Sequence, residues 1–518
     1  MRKAKACAAC RERRRRCDIR ASGSCTYCMA RGLQCTLGRL TGHAAAEDLG
    51  LSPPEGNLTR SSTAQREGMG GSHPSSQSLC AELVKLYFDY VHDQFHSLFH
   101  QPSFEKEMNR GEAPRILLYG MMALSARFSK NPTFQDVDPR LRGKTYAEQC
   151  ARFLDWNQVS LTTIQACVLL GAIAITEGNS AAENIHYAVA CRMAQMLDLP
   201  NCKTESRVEK EINIRTWWSL CMIDVWSSTG VRLPRLLPPR PDVPLPMDEV
   251  VFLGMSRDRG FDEPVQLNRK SSLLAEMVRL NHILQQINDF NIRVAESKLD
   301  SLAILSDVEH LSSLLDSWLD ELPDHIRDTP ENLEEYSALG LGRVFVAIYL
   351  GYYHFGQMLF YRFLHEDLQS SSLRSRQYSN KCKEHAGRLC DIVYSSESVP
   401  NCDVKYNMVG HVLLIASTVQ IHSLLFESNG QHLALARQRL EKNFCILTQL
   451  CALWPTLDVC MDRLMAFHKA CRESADTTFC MDQWMVRFLV EFASPVTDKT
   501  SPSDSAQWSL AELGIIPV

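Results

Sequence analysis

The sequence predicts a small cysteine-rich N-terminal module joined by a disordered linker to a large all-α domain. Three observations carry this. Six cysteines lie in the first 35 residues, in two runs of identical spacing. A stretch rich in Pro, Gly and Ser follows, with no apolar period. From about residue 79 onward, apolar residues recur at the three- and four-residue spacing of amphipathic helices.

The cysteines are Cys7, Cys10, Cys17, Cys25, Cys28 and Cys35, spaced C-x2-C-x6-C-x7-C-x2-C-x6-C. Cysteines separated by two residues can place two thiolates on one metal ion. Two tetrahedral zinc ions need eight ligand positions, and six sulfurs fill them only when two sulfurs are shared. A disulfide framework would need an oxidising compartment. The chain opens Met1-Arg2-Lys3-Ala4-Lys5 without an apolar signal segment. The other cysteines, from Cys80 to Cys480, are scattered and read as small buried hydrophobes. An iron–sulfur cluster suits neither the doubled spacing nor the arginines inside it.

Charge is distributed unevenly. Residues 1–40 hold 11 basic and two acidic side chains, a net +9, on a chain whose total is −5; the remainder carries −14. A basic head on an acidic body is the asymmetry of a nucleic-acid-binding module joined to a globular domain. Arg11 and Arg13 to Arg16 lie between Cys10 and Cys17. Ala8 to Arg16 favours a short helix, being rich in Ala and Arg, and metal ligands at both ends would pin it.

At these residues the chain resembles the fungal Zn2Cys6 binuclear-cluster transcription factors. The matching stretch is Ala6-Cys7-Ala8-Ala9-Cys10 through Arg16-Cys17-Asp18, then Cys25-Thr26-Tyr27-Cys28 and Arg31-Gly32-Leu33-Gln34-Cys35. The resemblance implies two Zn²⁺ in a thiolate-bridged cluster, with Cys7 and Cys25 bridging. It also implies a helix end in the DNA major groove that reads a CGG-type triplet. Base contacts map onto Arg13 and Arg14, and phosphate contacts onto Arg11 and Arg16. The family usually has lysines in this run, and this chain has only arginines. An arginine fork can bond guanine O6 and N7 together. Arg31 is expected to serve phosphate. The family's usual proline before the fourth cysteine is absent from Asp18 to Ser24.

These readings place the DNA-binding domain at 1–38 and the linker at 39–78. The all-α domain follows at 79–495, with a C-terminal tail at 496–518. The linker shows no heptad repeat, so no coiled coil is expected there. In the body, Leu83, Leu86, Tyr87 and Tyr90 share a helix face, as do Met277, Leu280, Ile283 and Ile287. Helices are expected around Val168–Ile173 and Ala190–Leu197, and within Leu339–Phe363, Val404–Phe426 and Leu435–Leu453. No apolar run reaches the roughly 18 residues that span a bilayer. A body of about 415 residues has room for a large core in one or two subdomains.

The body resembles the family's middle homology region. The matching segments are Tyr87-Phe88-Asp89-Tyr90-Val91-His92 with Leu98 to Phe104, and Leu161-Thr162-Thr163-Ile164-Gln165-Ala166. To these add Ala190-Cys191-Arg192-Met193-Ala194 with Leu197-Asp198-Leu199, and Arg215-Thr216-Trp217-Trp218-Ser219-Leu220 with Asp224. The resemblance implies an all-α regulatory domain.

Two features tempt other assignments. His92, His96 and His100 are four apart, a spacing that can bind zinc on one helix face. No carboxylate or cysteine joins them, so packing is the expected role. Trp217 and Trp218 could form a ligand platform, but at least one is expected in the core. The chain carries no phosphate loop and no Gly-x-Ser-x-Gly elbow, and a non-enzyme is expected. The expected function is a nuclear, sequence-specific DNA-binding transcription regulator of RNA polymerase II genes, with a metabolic or secondary-metabolite gene set as target. Expected partners are double-stranded DNA and the transcription machinery; the resemblance allows a homodimer through the helical body and equally a monomer on DNA, and no membrane is expected. The competing reading is a ligand-sensing or enzymatic helical protein whose zinc module only scaffolds.

Overall fold

A computed structural model describes residues 76–94, 96–256, 271–369, 372–492, 494–496 and 499. The described residues form helices and no strands, because the apolar period is 3.6 nearly throughout. Helix α1 (Ser76–Tyr90) begins inside the stretch read as linker. It is followed by α2 (Gln101–Arg110), α3 (Arg115–Ser125), α4 (Lys144–Phe153), α5 (Leu161–Thr176), α6 (Ser180–Met196) and α7 (Arg207–Val231). After the short α8 (Glu249–Leu253) come α9 (Leu273–Ala295), α10 (Ser301–Glu321), α11 (Pro330–Ala338), α12 (Gly342–Phe360) and α13 (Phe363–Gln369). The chain continues through α14 (Leu373–Ser396), α15 (Met408–Phe426), α16 (Gly430–Cys451), α17 (Thr456–Glu473), α18 (Ala475–Thr478) and α19 (Gln483–Val490).

Capping side chains set several helix starts. Ser160 Oγ accepts from Thr163 N at 3.2 Å, Ser206 Oγ from Glu209 N at 3.2 Å, and Ser272 Oγ from Ala275 N at 2.9 Å. Each satisfies one of the N–H groups that a helix leaves open at its first turn. Helices α5 and α6 pack as an antiparallel hairpin at Gly171, where an added Cβ would meet the Tyr187 ring at 2.3 Å. Only glycine permits that approach.

Two large apolar cores and three small clusters result among the described residues. The first gathers side chains from α1 to α7, among them Tyr87, Leu117, Leu169, Ala190 and Trp217. The second gathers α9 to α19, among them Leu280, Phe345, Leu389, Leu413 and Phe488. Helix α7 serves both: Trp217, Trp218 and Ile223 enter the first core, and Val225 enters the second. Arg127 is a second tie. Its buried guanidinium donates to Leu124 O at 3.2 Å and Leu453 O at 2.8 Å, and lies 4.2 Å over the Trp454 ring. At the chain's far end, Arg463 donates to the carbonyls of Arg487 and Phe488, in the last turn of α19, and of Glu491 just beyond it. A cation there suits the carbonyl-rich C-terminal end of a helix.

Helix α15 corrects the expectation that no segment reaches bilayer length. It has 19 residues with a mean hydropathy of 1.6, long and apolar enough to cross a membrane by composition alone. Within the fold, 78% of that window is buried. Its polar groups bond inside the body: His422 Nε2 to Leu364 O at 2.9 Å, and Thr418 Oγ1 with Tyr361 OH at 2.8 Å. A helix that is apolar all round is here a core helix.

After α7 the chain turns at Arg232, with φ 55°. Asp224 holds this turn, accepting from Leu236 N at 2.8 Å, Leu237 N at 2.9 Å and Ser228 Oγ at 3.0 Å. One carboxylate therefore organises Gly230-Val231-Arg232-Leu233-Pro234.

Candidate functional site

The residues expected to bind metal and DNA lie outside the described residues. These are Cys7, Cys10, Cys17, Cys25, Cys28 and Cys35, with Arg11, Arg13, Arg14, Arg16 and Arg31. Among the described residues, no group of three or more His, Cys, Asp or Glu side chains has the arrangement of a metal site.

His92, His96 and His100 do not share a helix face, because α1 ends at Tyr90. His92 Nε2 accepts from Leu98 N and Phe99 N, both at 3.0 Å. His96 Nε2 pairs with Tyr87 OH at 2.6 Å, and burial holds its pKa at about 3, so it stays neutral. His100 bonds Ser103 Oγ at 2.7 Å and Phe252 O at 2.9 Å. His92 and His100 thereby supply hydrogen bonds that an irregular, buried backbone would otherwise lack.

Three of the sequence motifs converge on Ser97 and Leu98. Gln165 Nε2 donates to Leu98 O at 2.7 Å. Ser219 Oγ accepts from Ser97 N at 2.9 Å and donates to Ser97 O at 3.2 Å. Arg215, almost fully buried, is the hub beneath them. It donates to Glu211 Oε1 at 2.9 Å and Met247 O at 2.6 Å, lies 3.7 Å from Glu249 Oε1, and stacks 4.3 Å over Phe252. Burial raises the pKa of both Glu211 and Glu249, with Arg215 opposing. Glu249 in turn accepts from Leu273 N at 2.9 Å and Leu274 N at 3.1 Å, which starts α9. Trp217 and Trp218 are both buried, and Trp218 Nε1 donates to Pro244 O at 2.8 Å. The Arg215-to-Leu220 motif is thus a packing hub rather than a binding platform.

A cavity of about 120 Å³ lies where the two cores meet. Helix α6 supplies Glu183 and Tyr187, α7 supplies Trp226, α9 supplies Asn281, α12 supplies His354, and the turn after α1 supplies Asp93 and Gln94. Several of these polar atoms have no protein partner: the Tyr187 hydroxyl, Gln94 Oε1 and Asn281 Oδ1. Burial alone pushes the Glu183 carboxyl from its ordinary 4.5 to about 8. For Asp93, burial would raise the pKa, but His92, 3.2 Å away, and the Arg215 charge outweigh it and hold the carboxyl at about 2.

Sequence reading missed Glu183, yet a signal was present. Tyr187, Cys191 and Ala194 form the buried stripe of α6, and Glu183 stands four residues before Tyr187 on that stripe. A carboxyl on an apolar stripe costs stability when ionised. Its raised pKa means stability that is present below the ordinary 4.5 and lost as pH rises toward 8. Glu183→Gln is therefore expected to be nearly neutral at pH 4. At pH 7.5 it should be stabilising by on the order of 3 kcal/mol. Urea denaturation at the two pH values checks this; an equal difference at both would contradict the buried neutral carboxyl.

Comparison with known proteins bears on both parts of the chain. Residues 5–43 match the fungal Zn(2)-Cys(6) binuclear cluster domain, and residues 84–320 match the fungal specific transcription factor domain. An uncharacterized transcriptional regulatory protein of Schizosaccharomyces pombe is 24% identical over 311 residues, covering 54% of this chain and 32% of its own length. The Zn(2)-C6 fungal-type transcription factor FTF1a of Fusarium oxysporum f. sp. lycopersici is 27% identical over 194 residues, covering 33% of this chain and 17% of its own. The nitrogen assimilation transcription factor nit-4 of Neurospora crassa is 25% identical over 373 residues, covering 67% of this chain and 33% of its own. The matched stretches thus span a third or less of these relatives. No solved structure matches the chain significantly. With both family domains matched in the order the motifs predict, and helices without strands among the described residues, the chain belongs to the fungal Zn2Cys6 binuclear-cluster transcription factors that carry the fungal-specific transcription factor domain.

Proposed function

We propose that this chain is a nuclear, sequence-specific DNA-binding regulator of RNA polymerase II genes, reading CGG-type triplets through the basic segment of its zinc module. The observation that carries the reading is the run Arg13 to Arg16, set between Cys10 and Cys17. Six thiolates in two equally spaced halves suit two zinc ions, with Cys7 and Cys25 as the shared ligands. Zinc supplies a structural cross-link, since residues 1–40 hold too little apolar surface for a core of their own. Arg13 and Arg14 read guanine edges, while Arg11, Arg16 and Arg31 hold phosphates. The helical body is regulatory rather than catalytic, contacts the transcription machinery, and pairs with a second copy. A metabolic or secondary-metabolite gene set is the proposed target.

Selecting bound sites from random DNA with the full-length protein tests the core of this reading. Enrichment of CGG triplets is expected; no enriched sequence would refute it. Arg14→Ala is expected to cost about 1–3 kcal/mol on the selected site and to relax the guanine preference. Arg31→Ala is expected to weaken all DNA alike and to lower the salt dependence. Equal losses on selected and scrambled DNA for both variants would refute that division of roles.

A further inference from the structure

We propose that the cavity between the two cores of the helical body is a binding site for a small organic amine, whose ammonium group meets Glu183 and Asp93 and whose apolar part lies against Trp226. The cavity's size bounds the ligand. Its 120 Å³ approaches the roughly 150 Å³ of an engineered apolar cavity that takes benzene, so about five or six non-hydrogen atoms fit. Most of its wall is apolar or aromatic, including Met222, Leu274, Leu350 and Phe355. Among the described residues, no lysine or arginine lines it.

The polar part of the wall is rich in acceptors. Gln94 spends its Nε2 on Asp89 O at 3.3 Å, which leaves Oε1 facing no protein donor. Asn281 Oδ1 and the Tyr187 hydroxyl are likewise unpartnered in residues that are 6% and 2% exposed. Glu183, 4% exposed, adds a carboxyl with no basic side chain against it. Buried acceptors left without donors cost free energy. An alkylammonium carries three donors and no acceptor, which suits Gln94 Oε1, Asn281 Oδ1 and the carboxylate that Glu183 becomes on giving up its proton. Trp226 adds aromatic surface for the ligand's apolar part. A bare metal ion would leave the apolar wall unfilled, and an anion would meet Asp93.

Binding has a proton signature. The titratable groups that share the cavity with Glu183 are Asp93, His96, Tyr187, His354 and Tyr406. Asp93 is already ionised, while burial keeps His96 and His354 neutral, both at about 3. Burial also keeps the phenols of Tyr187 and Tyr406 protonated. Glu183 is the group left to respond. With its pKa at about 8 it holds its proton at pH 7 and releases it when a cation arrives beside it. An occupant touches helices of both cores at once, so its binding energy adds to the contact between them.

The test uses the full-length zinc-loaded protein and n-butylammonium chloride as probe, with n-butanol and sodium butyrate as neutral and anionic counterparts. Calorimetry at pH 7 in two buffers of different ionisation enthalpy reads both affinity and proton release. Saturable butylammonium binding is expected, at least tenfold tighter than either counterpart, with release approaching one proton per ligand. Glu183→Gln, which keeps the shape and folds more stably at this pH, is expected to bind at least tenfold more weakly and to release no proton. No saturable heat with butylammonium, meaning a cavity that holds water only, would overturn the proposal. So would butanol binding as well as the amine, or Glu183→Gln binding unchanged. DNA binding by the unliganded protein is read separately, so failure here leaves the zinc-module reading untouched.

Discussion

Cys7→Ala is expected to remove both zinc ions and with them the fold and DNA binding of residues 1–40. With six sulfurs for eight positions, loss of a shared sulfur opens both metals at once. Loss of a sulfur bound to one metal, as in Cys10→Ala, opens only that one. The metal supplies the folding free energy of so small a module, on the order of 10 kcal/mol or more for structural zinc. Metal analysis of the purified proteins should give two zinc ions per chain for the parent and none for Cys7→Ala. Retention of one full-occupancy zinc in Cys7→Ala would show that Cys7 is not shared. The helical body should keep its helicity throughout, because its two large cores are built from described residues that follow the module, Val84 onward.

Arg215→Met is expected to be the most damaging single change in the body. The substitution keeps the stem's volume but removes the guanidinium from between Glu211 and Glu249, each under 5% exposed. Breaking a buried ion pair from one side costs about 3–5 kcal/mol, a large share of the 5–15 kcal/mol that typically holds a domain folded. It also frees Met247 O and Ser97 Oγ from their donor. The pH dependence follows in sign. Burial already raises both carboxyls, and Arg215 is the largest of the influences that lower them, ahead of the backbone N–H groups they accept from. Without it they rise further, so stability present at low pH is lost more steeply as pH increases. The gap between parent and variant, measured by urea denaturation, should widen from pH 4.5 to pH 7.5. A constant gap would show that lost packing, not charge, dominates.

The positions of the helices were largely legible. The stripe Leu83, Leu86, Tyr87, Tyr90 ends where α1 ends, and Met277 to Ile287 lies within α9. Packing is the role expected of the histidine segment and the one it has, although its four-residue spacing mimics a helix that has already stopped at Tyr90. Only the hydrogen bonds from Leu98 and Phe99 to His92 reveal a buried loop. Helix α15, by contrast, was misjudged. Scattered Ser, Thr, His and Gln interrupt its apolar run, yet their partners lie within the body and leave the helix as apolar in effect as a membrane span.

The sequence by itself determined the family, the order of its two domains and the all-α class of the body. Cysteine spacing and helical periodicity are local properties, written over tens of consecutive residues at most. What only the tertiary structure decided is where the buried polar groups point. Arg215 finds Ser97 and Met247, Gln165 finds Leu98, and Arg127 finds Leu453, across separations of 32 to 326 residues. Glu183, Asn281, His354 and Trp226 meet around one cavity from four different helices. Whether a buried polar atom is satisfied or left facing empty space depends on such long-range encounters, and no local pattern encodes them.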